Sequence, residues 1–143
     1  MTQIDFYTHV DDKLRVACAL SAKAFGQGLK VFVSCPDRET AQRFDRMLWM
    51  TPATGFTPHC AAADPLAPVT PVLLDHDGTN PPHDEVLLNL RAECPPYFSR
   101  FQRLIEIVGL EDGDRADARN RFRYYRDAGY DIRTHDLSKT SER

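Results

Sequence analysis

The sequence lacks a glycine-rich phosphate loop. Its first strand-like segment, "IDFYT" at 4–8, runs into "THVDDKL", a stretch without a single glycine. A dinucleotide fingerprint needs glycines at that turn so that the backbone can approach a pyrophosphate. No G-x-x-x-x-G-K-[ST] occurs elsewhere, and "GQGLK" at 26–30 follows a helical pattern, so it reads as a helix stop. No nucleotide cofactor is therefore expected. Metal spacing is also missing. His76, Asp77, His83 and Asp84 share one loop and His59 adjoins Cys60, yet there is no i, i+4 histidine pair and no C-x-x-C knuckle. Nothing resembles a nucleophile elbow either, and no catalytic residue is assigned.

Long apolar runs are absent, none reaching the roughly 18 residues of a membrane span. The opening "MTQIDFYTHVDDK" shows no basic start followed by an apolar core, the pattern of a secretory signal. Four cysteines, Cys18, Cys35, Cys60 and Cys94, lie far apart and read as reduced, mostly buried thiols of a cytoplasmic protein. Positive charge is not in excess. The net charge of −3 excludes a surface that coats a nucleic-acid backbone throughout, since such binding rests on many cation–phosphate contacts. Any basic site must be local.

What is present describes one α/β domain. The chain has 143 residues, 42% hydrophobic and 27% charged, enough for a single core. After the strand at 4–8, Asp11 or Asp12 caps a helix to about Phe25, with Leu14, Ala17, Cys18, Ser21 and Phe25 on one face. "KVFVS" at 30–34 reads as a buried strand. Pro36 and Asp37 open a second helix, with Ala41, Phe44 and Leu48 on its stripe, which stops near "MTPATGF". Residues 57–68 read as loop, 69–75 as a strand with Pro71 near its start, and 76–85 as a turn-rich loop. Strands follow at 86–90 and 103–109, separated by one helical turn at 95–101. A last helix covers 112–128 and Gly129 ends it. Strands alternating with helices imply right-handed crossovers and a three-layer, Rossmann-like, mostly parallel sheet. The domain is expected over 1–137, with 138–143 as a flexible tail.

Two features go beyond a generic fold. Trp49, the only tryptophan, lies about 100° around the second helix from the Ala41–Phe44–Leu48 stripe, beside a Pro-broken loop with Phe56. That placement suits an interface anchor. The second feature is "RNRFRYYRDAGY" at 119–130. Between 115 and 126 stand five arginines and one acid, Asp117. Ala118, Phe122 and Tyr125 fall on one helix face, and Arg119, Arg123 and Arg126 on its neighbour. A solvated charged face is the plain alternative. But every cation here is arginine, whose planar fork recognises carboxylate or phosphate bidentately and stacks on aromatic rings. So short a row beside apolar residues suits an acidic peptide or chain terminus better than a long duplex. Direct single-stranded nucleic-acid binding, with Tyr124 as a stacking platform, is the alternative function.

These segments resemble the chi subunit (HolC) family of the bacterial DNA polymerase III holoenzyme. The matching pieces are "IDFYTHV", "KVFVSC", "FDRMLW", "FTPH", "LRAECPPYFSRFQRLIEIV" and "ARNRFRYYRDAGYDI", which together cover nearly the whole chain. The resemblance implies a non-catalytic, clamp-loader-associated adaptor with a Rossmann-like fold that works in DNA replication. It implies two partners: the acidic C-terminal tail of single-stranded DNA-binding protein, and the psi subunit. DNA is then met only indirectly, and no membrane is involved. By position, Arg119 and Arg123 match the basic residues that meet the tail, Arg126 continues their row, and Phe122 and Val108 match its apolar wall. Trp49, Pro52 and Phe56 match the psi-facing surface. Two positions depart from the family pattern: Phe122 lacks a tyrosine hydroxyl, and Arg123 replaces a lysine.

Overall fold

The computed structural model describes residues 1–50 and 57–139. Seven strands form one sheet: β1 (Gln3–Val10), β2 (Val31–Ser34), β3 (His59–Ala61), β4 (Val72–Asp75), β5 (Val86–Asn89), β6 (Arg103–Gly109) and β7 (Ile132–Asp136). Their spatial order is β3-β4-β2-β5-β6-β1-β7, and every pairing is parallel. Helices α1 (Lys13–Gly26), α2 (Arg38–Trp49) and α3 (Asp112–Asp127) complete the three layers. The expected α/β class is the observed one, and the sheet is parallel throughout rather than mostly so.

Strand alternation sorts the core onto two faces. Val31 and Val33 of β2, and Ile105 and Ile107 of β6, pack with Leu14, Ala17, Phe44 and Leu48 from α1 and α2. Phe32, Leu104, Val108, Ile4 and Phe6 point the other way and pack with Ala118 and Tyr125 of α3. Because the central strands are covered on both faces, they read in sequence as continuous apolar runs.

Helix starts follow the sequence signals. Asp12 accepts a hydrogen bond from the Arg15 amide at 3.2 Å, and Asp37 one from Thr40 at 2.7 Å, each satisfying an orphan donor of the first turn. Gly129 follows α3 with φ 92°, a conformation that glycine adopts without a Cβ penalty.

Three expectations need correction. Residues 57–68 are not simply loop: β3 forms a short edge strand there, and Ala67–Val69 makes a 3-10 turn. The strand expected at 69–75 begins only at Val72, after that turn. A seventh strand, β7, follows α3 where none was expected. Both missed strands sit at sheet edges, where one neighbour suffices and apolar patterning is weak.

Candidate functional site

Parallel strands end together, so β6, β1 and β7 bring Val108, Gly109, Thr8, His9, Thr134 and Asp136 to one edge of the sheet. Across from them α3 presents Arg115, Ala118, Arg119 and Phe122, which share a helix face through i, i+3, i+4 and i+7 spacing. With Phe6 these residues line an open hollow of about 380 Å³. Its floor is apolar. Val108 and Ala118 are buried, and Phe122 sits edge-on to Phe6 with ring centroids 5.3 Å apart. Its rim carries two guanidinium groups, those of Arg115 and Arg119, both on exposed residues.

The position of α3 is fixed by Asp114. Its Oδ2 accepts the Gly109 amide at 2.7 Å, and its Oδ1 accepts the Lys13 ammonium at 2.9 Å. This carboxylate therefore ties the end of β6 and the start of α1 to the first turn of α3, where negative charge also suits the helix dipole. Burial raises its pKa, but the Gly109 amide and Lys13 outweigh that and hold it below the usual carboxylate range. Gly109 has little room for a side chain, since a Cβ would meet Asp114 Oδ2 at 3.3 Å and Lys13 Cδ at 3.2 Å.

The rim also contains a strained residue. His9 has φ 58° and lies where the β1–β6 register shifts between Tyr7 and Val10. Few non-glycine residues occupy this left-handed region, although histidine does so more often than most. Its Nδ1 lies 3.0 Å from Asp136 Oδ1.

The structure divides the arginines of the basic stretch. Arg119 lines the hollow, with Val108 and Phe122 as apolar walls. Arg123 and Arg126 are exposed farther along α3 and do not line it; Arg123 bonds the Asn120 amide oxygen, and Arg126 pairs with Asp127 at 3.1 Å. Arg121 is not part of a cationic surface at all. It is 3% exposed and turned into the core, where its Nε donates to Glu106 Oε1 at 2.9 Å and its Nη1 to the Ala92 carbonyl at 2.7 Å. Tyr125 donates its hydroxyl to Glu106 Oε2 at 2.6 Å, and Asn89 donates to both oxygens. Burial raises the Glu106 pKa against the pull of Arg121, Tyr125 and Asn89. Counting all five arginines as one surface charge was therefore an overestimate.

Arg115, Phe6, Thr8, His9, Thr134 and Asp136 were not singled out from sequence. Arg115 had a signal, since it stands one turn before Arg119. The others come from strands distant in sequence, and only the register brings them together.

Trp49 is 60% exposed at the end of α2, and its ring meets His59 edge-on at 5.1 Å. Pro52 and Phe56 lie outside the described residues. Among the described residues no three His, Cys, Asp or Glu side chains group as metal ligands, and no helix is long and apolar enough to cross a membrane.

The sequence matches known proteins over nearly its whole length. Residues 1–133 match the family model described as DNA polymerase III chi subunit, HolC. The DNA polymerase III subunit chi of Pseudomonas aeruginosa is 36% identical, over 97% of this chain and 99% of its own length. The subunits of that name from Escherichia coli and Haemophilus influenzae are each 28% identical, over 84% and 85% of this chain and 82% and 85% of their own. The chain belongs to the DNA polymerase III chi subunit family, an accessory subunit of the replicative polymerase.

Proposed function

We propose that the hollow beside α3 holds the C-terminal tail of single-stranded DNA-binding protein, and that the chain is a non-catalytic adaptor within the cytoplasmic replication machinery. The observation that carries this reading is the pairing of an apolar floor, made by Phe6, Val108, Ala118 and Phe122, with the Arg115 and Arg119 guanidinium groups at its rim. A chain end that is apolar in side chain and anionic in backbone matches both parts at once. The ring or alkyl group fills the floor, and the terminal carboxylate meets an arginine fork. Arg123 and Arg126, farther along α3, face the acidic residues that precede the terminus.

The magnitudes suit a reversible grip. Charge-assisted hydrogen bonds are worth roughly 1.5–3 kcal/mol each, and burying one large apolar side chain adds about 2 kcal/mol. Ordering the tail and salt screening over about 8 Å reduce the sum to a micromolar-class Kd. At the far end of α2, Trp49 marks the psi-facing surface; the exposure of its ring supports that assignment.

The test is a fluorescence-anisotropy titration with an acidic peptide copying the tail, alongside the same peptide amidated at its C-terminus. Binding is expected for the free acid, weakened at least tenfold by amidation or by Arg119→Ala, and weakened by added salt. Equal binding of both peptides removes the carboxylate from the account. Binding of an oligonucleotide in place of the peptide favours the stacking alternative centred on Tyr124, which is 56% exposed.

A further inference from the structure

Asp136 is the only acidic side chain among the described residues that line the hollow. It faces the Arg115–Arg119 wall from β7, so its charge opposes an anionic occupant. Its Oδ1 is heavily engaged. It accepts the Ser138 amide at 3.0 Å and the Ser138 hydroxyl at 2.6 Å, and His9 Nδ1 lies 3.0 Å away. An ionised carboxylate only accepts hydrogen bonds, so the contact is favourable when His9 Nδ1 carries a proton. His9 reaches this position from a left-handed backbone at the point where β1 leaves its register with β6. The left-handed turn thus places an imidazole beside the one carboxylate found among the described lining residues.

We propose that His9 is a specificity-determining residue of the hollow: it masks Asp136, so that the site accepts an anionic chain end that the bare carboxylate would repel. This rests on the reading of the hollow as an anion-binding site. The charged groups around His9 are consistent with it. Asp136 faces it from β7, Arg115 and Arg119 from α3, and Asp11 and Asp12 follow it in the chain toward α1. Lys13 and Asp114, the next charges along that edge, are already paired with each other. Unmasked, Asp136 would compete with the peptide carboxylate for the arginines and repel it directly.

Three variants separate the contributions in the peptide titration. Asp136→Asn removes the opposing charge and is expected to tighten binding about two- to fivefold, the range of a partly exposed charge pair. His9→Gly removes the imidazole while relieving the positive φ, so the fold is retained, and binding is expected to weaken by a similar factor. In the double variant the loss at position 9 is expected to vanish, because there is no longer a carboxylate to mask. Far-ultraviolet circular dichroism and melting confirm folding of each protein. If wild type binds and Arg119→Ala weakens it, but Asp136→Asn leaves affinity unchanged or His9→Gly costs the same with and without Asp136, the masking role is overturned and the hollow stands. If wild type and Arg119→Ala are equally silent toward the peptide, the reading of the hollow falls, and this inference with it.

Discussion

Arg121 and Glu106 form a buried ion pair, with Nε and Oε1 2.9 Å apart and side chains 3% and 0% exposed. It lies under the helix whose outer face carries Arg119, two positions away. One arginine-rich segment therefore serves two purposes: Arg121 fastens α3 to β6, and Arg119 is presented to solvent over the hollow that this fastening creates.

Arg121→Met should be strongly destabilising. The methionine fills the space but leaves Glu106 buried with no cation, a defect that costs about 3–5 kcal/mol. Urea denaturation measures it. A loss under about 1 kcal/mol would show that Glu106 is neutral and needs no partner. Tyr125→Phe, which removes one donor to the same carboxyl, should cost about 1–3 kcal/mol.

Acid sensitivity should centre on Asp5. Its side chain is 2% exposed, beside Arg103 Nε at 2.8 Å and His135 Nε2 at 3.0 Å. Burial raises its pKa, but hydrogen bonds from His135, Arg103 and Gln3 outweigh that and leave it below its ordinary value of 3.8. A carboxylate with a depressed folded pKa contributes stability that is full above the unfolded value and is lost as pH falls through the folded one. Unfolding free energy should therefore drop steeply below about pH 4. In Asp5→Asn, stability at pH 7 should be lower by about 3 kcal/mol and the drop below pH 4 shallower. An unchanged acid limb would assign it to other carboxylates, with Asp114 next in line.

The Asp114 tie should link stability to binding. Asp114→Ala removes the acceptor for the Gly109 amide and for Lys13, and should cost about 1–2 kcal/mol. Because this tie joins the end of β6, next to Val108, to the first turn of α3, which leads to Arg119, affinity for an acidic peptide should fall as well. Gly109→Ala should do the same more mildly, since its Cβ crowds that carboxylate. Thermal melting and peptide titration on the same samples check both effects.

Trp49→Ala should be nearly silent in folding. A ring 60% exposed loses little burial on truncation, and about 1 kcal/mol or less is expected by urea denaturation. A larger loss would make Trp49 part of the core through its contact with His59.

Much of this was legible in the sequence, for physical reasons that differ by element. The central strands β2, β5 and β6 are buried on both faces and announce themselves as apolar runs. Asp12 and Asp37 mark helix starts because unsatisfied amides need acceptors. The strand β7 was missed because "IRTHD" pairs on one side only and keeps polar residues on both faces. Arg121 was misread because helical spacing alone cannot tell a surface arginine from one with a buried acid beneath it. Its partner Glu106 comes from another strand and looks in sequence like a polar interruption of "RLIEIVG". The acidic and strand-derived part of the hollow, His9 and Asp136, depended on the β1–β7 register, which local pattern does not encode.

The most direct test is a nitrogen-15 chemical-shift map of the protein during titration with an acidic peptide bearing a free apolar C-terminus. The account predicts saturating shifts at Phe6, Thr8, His9, Val108, Gly109, Arg115, Ala118, Arg119, Phe122 and Asp136, extending along α3 to Arg123 and Arg126. Shifts centred instead on the separate polar hollow around Ser34, Arg91 and Tyr97, or none at peptide concentrations well above micromolar, would contradict it.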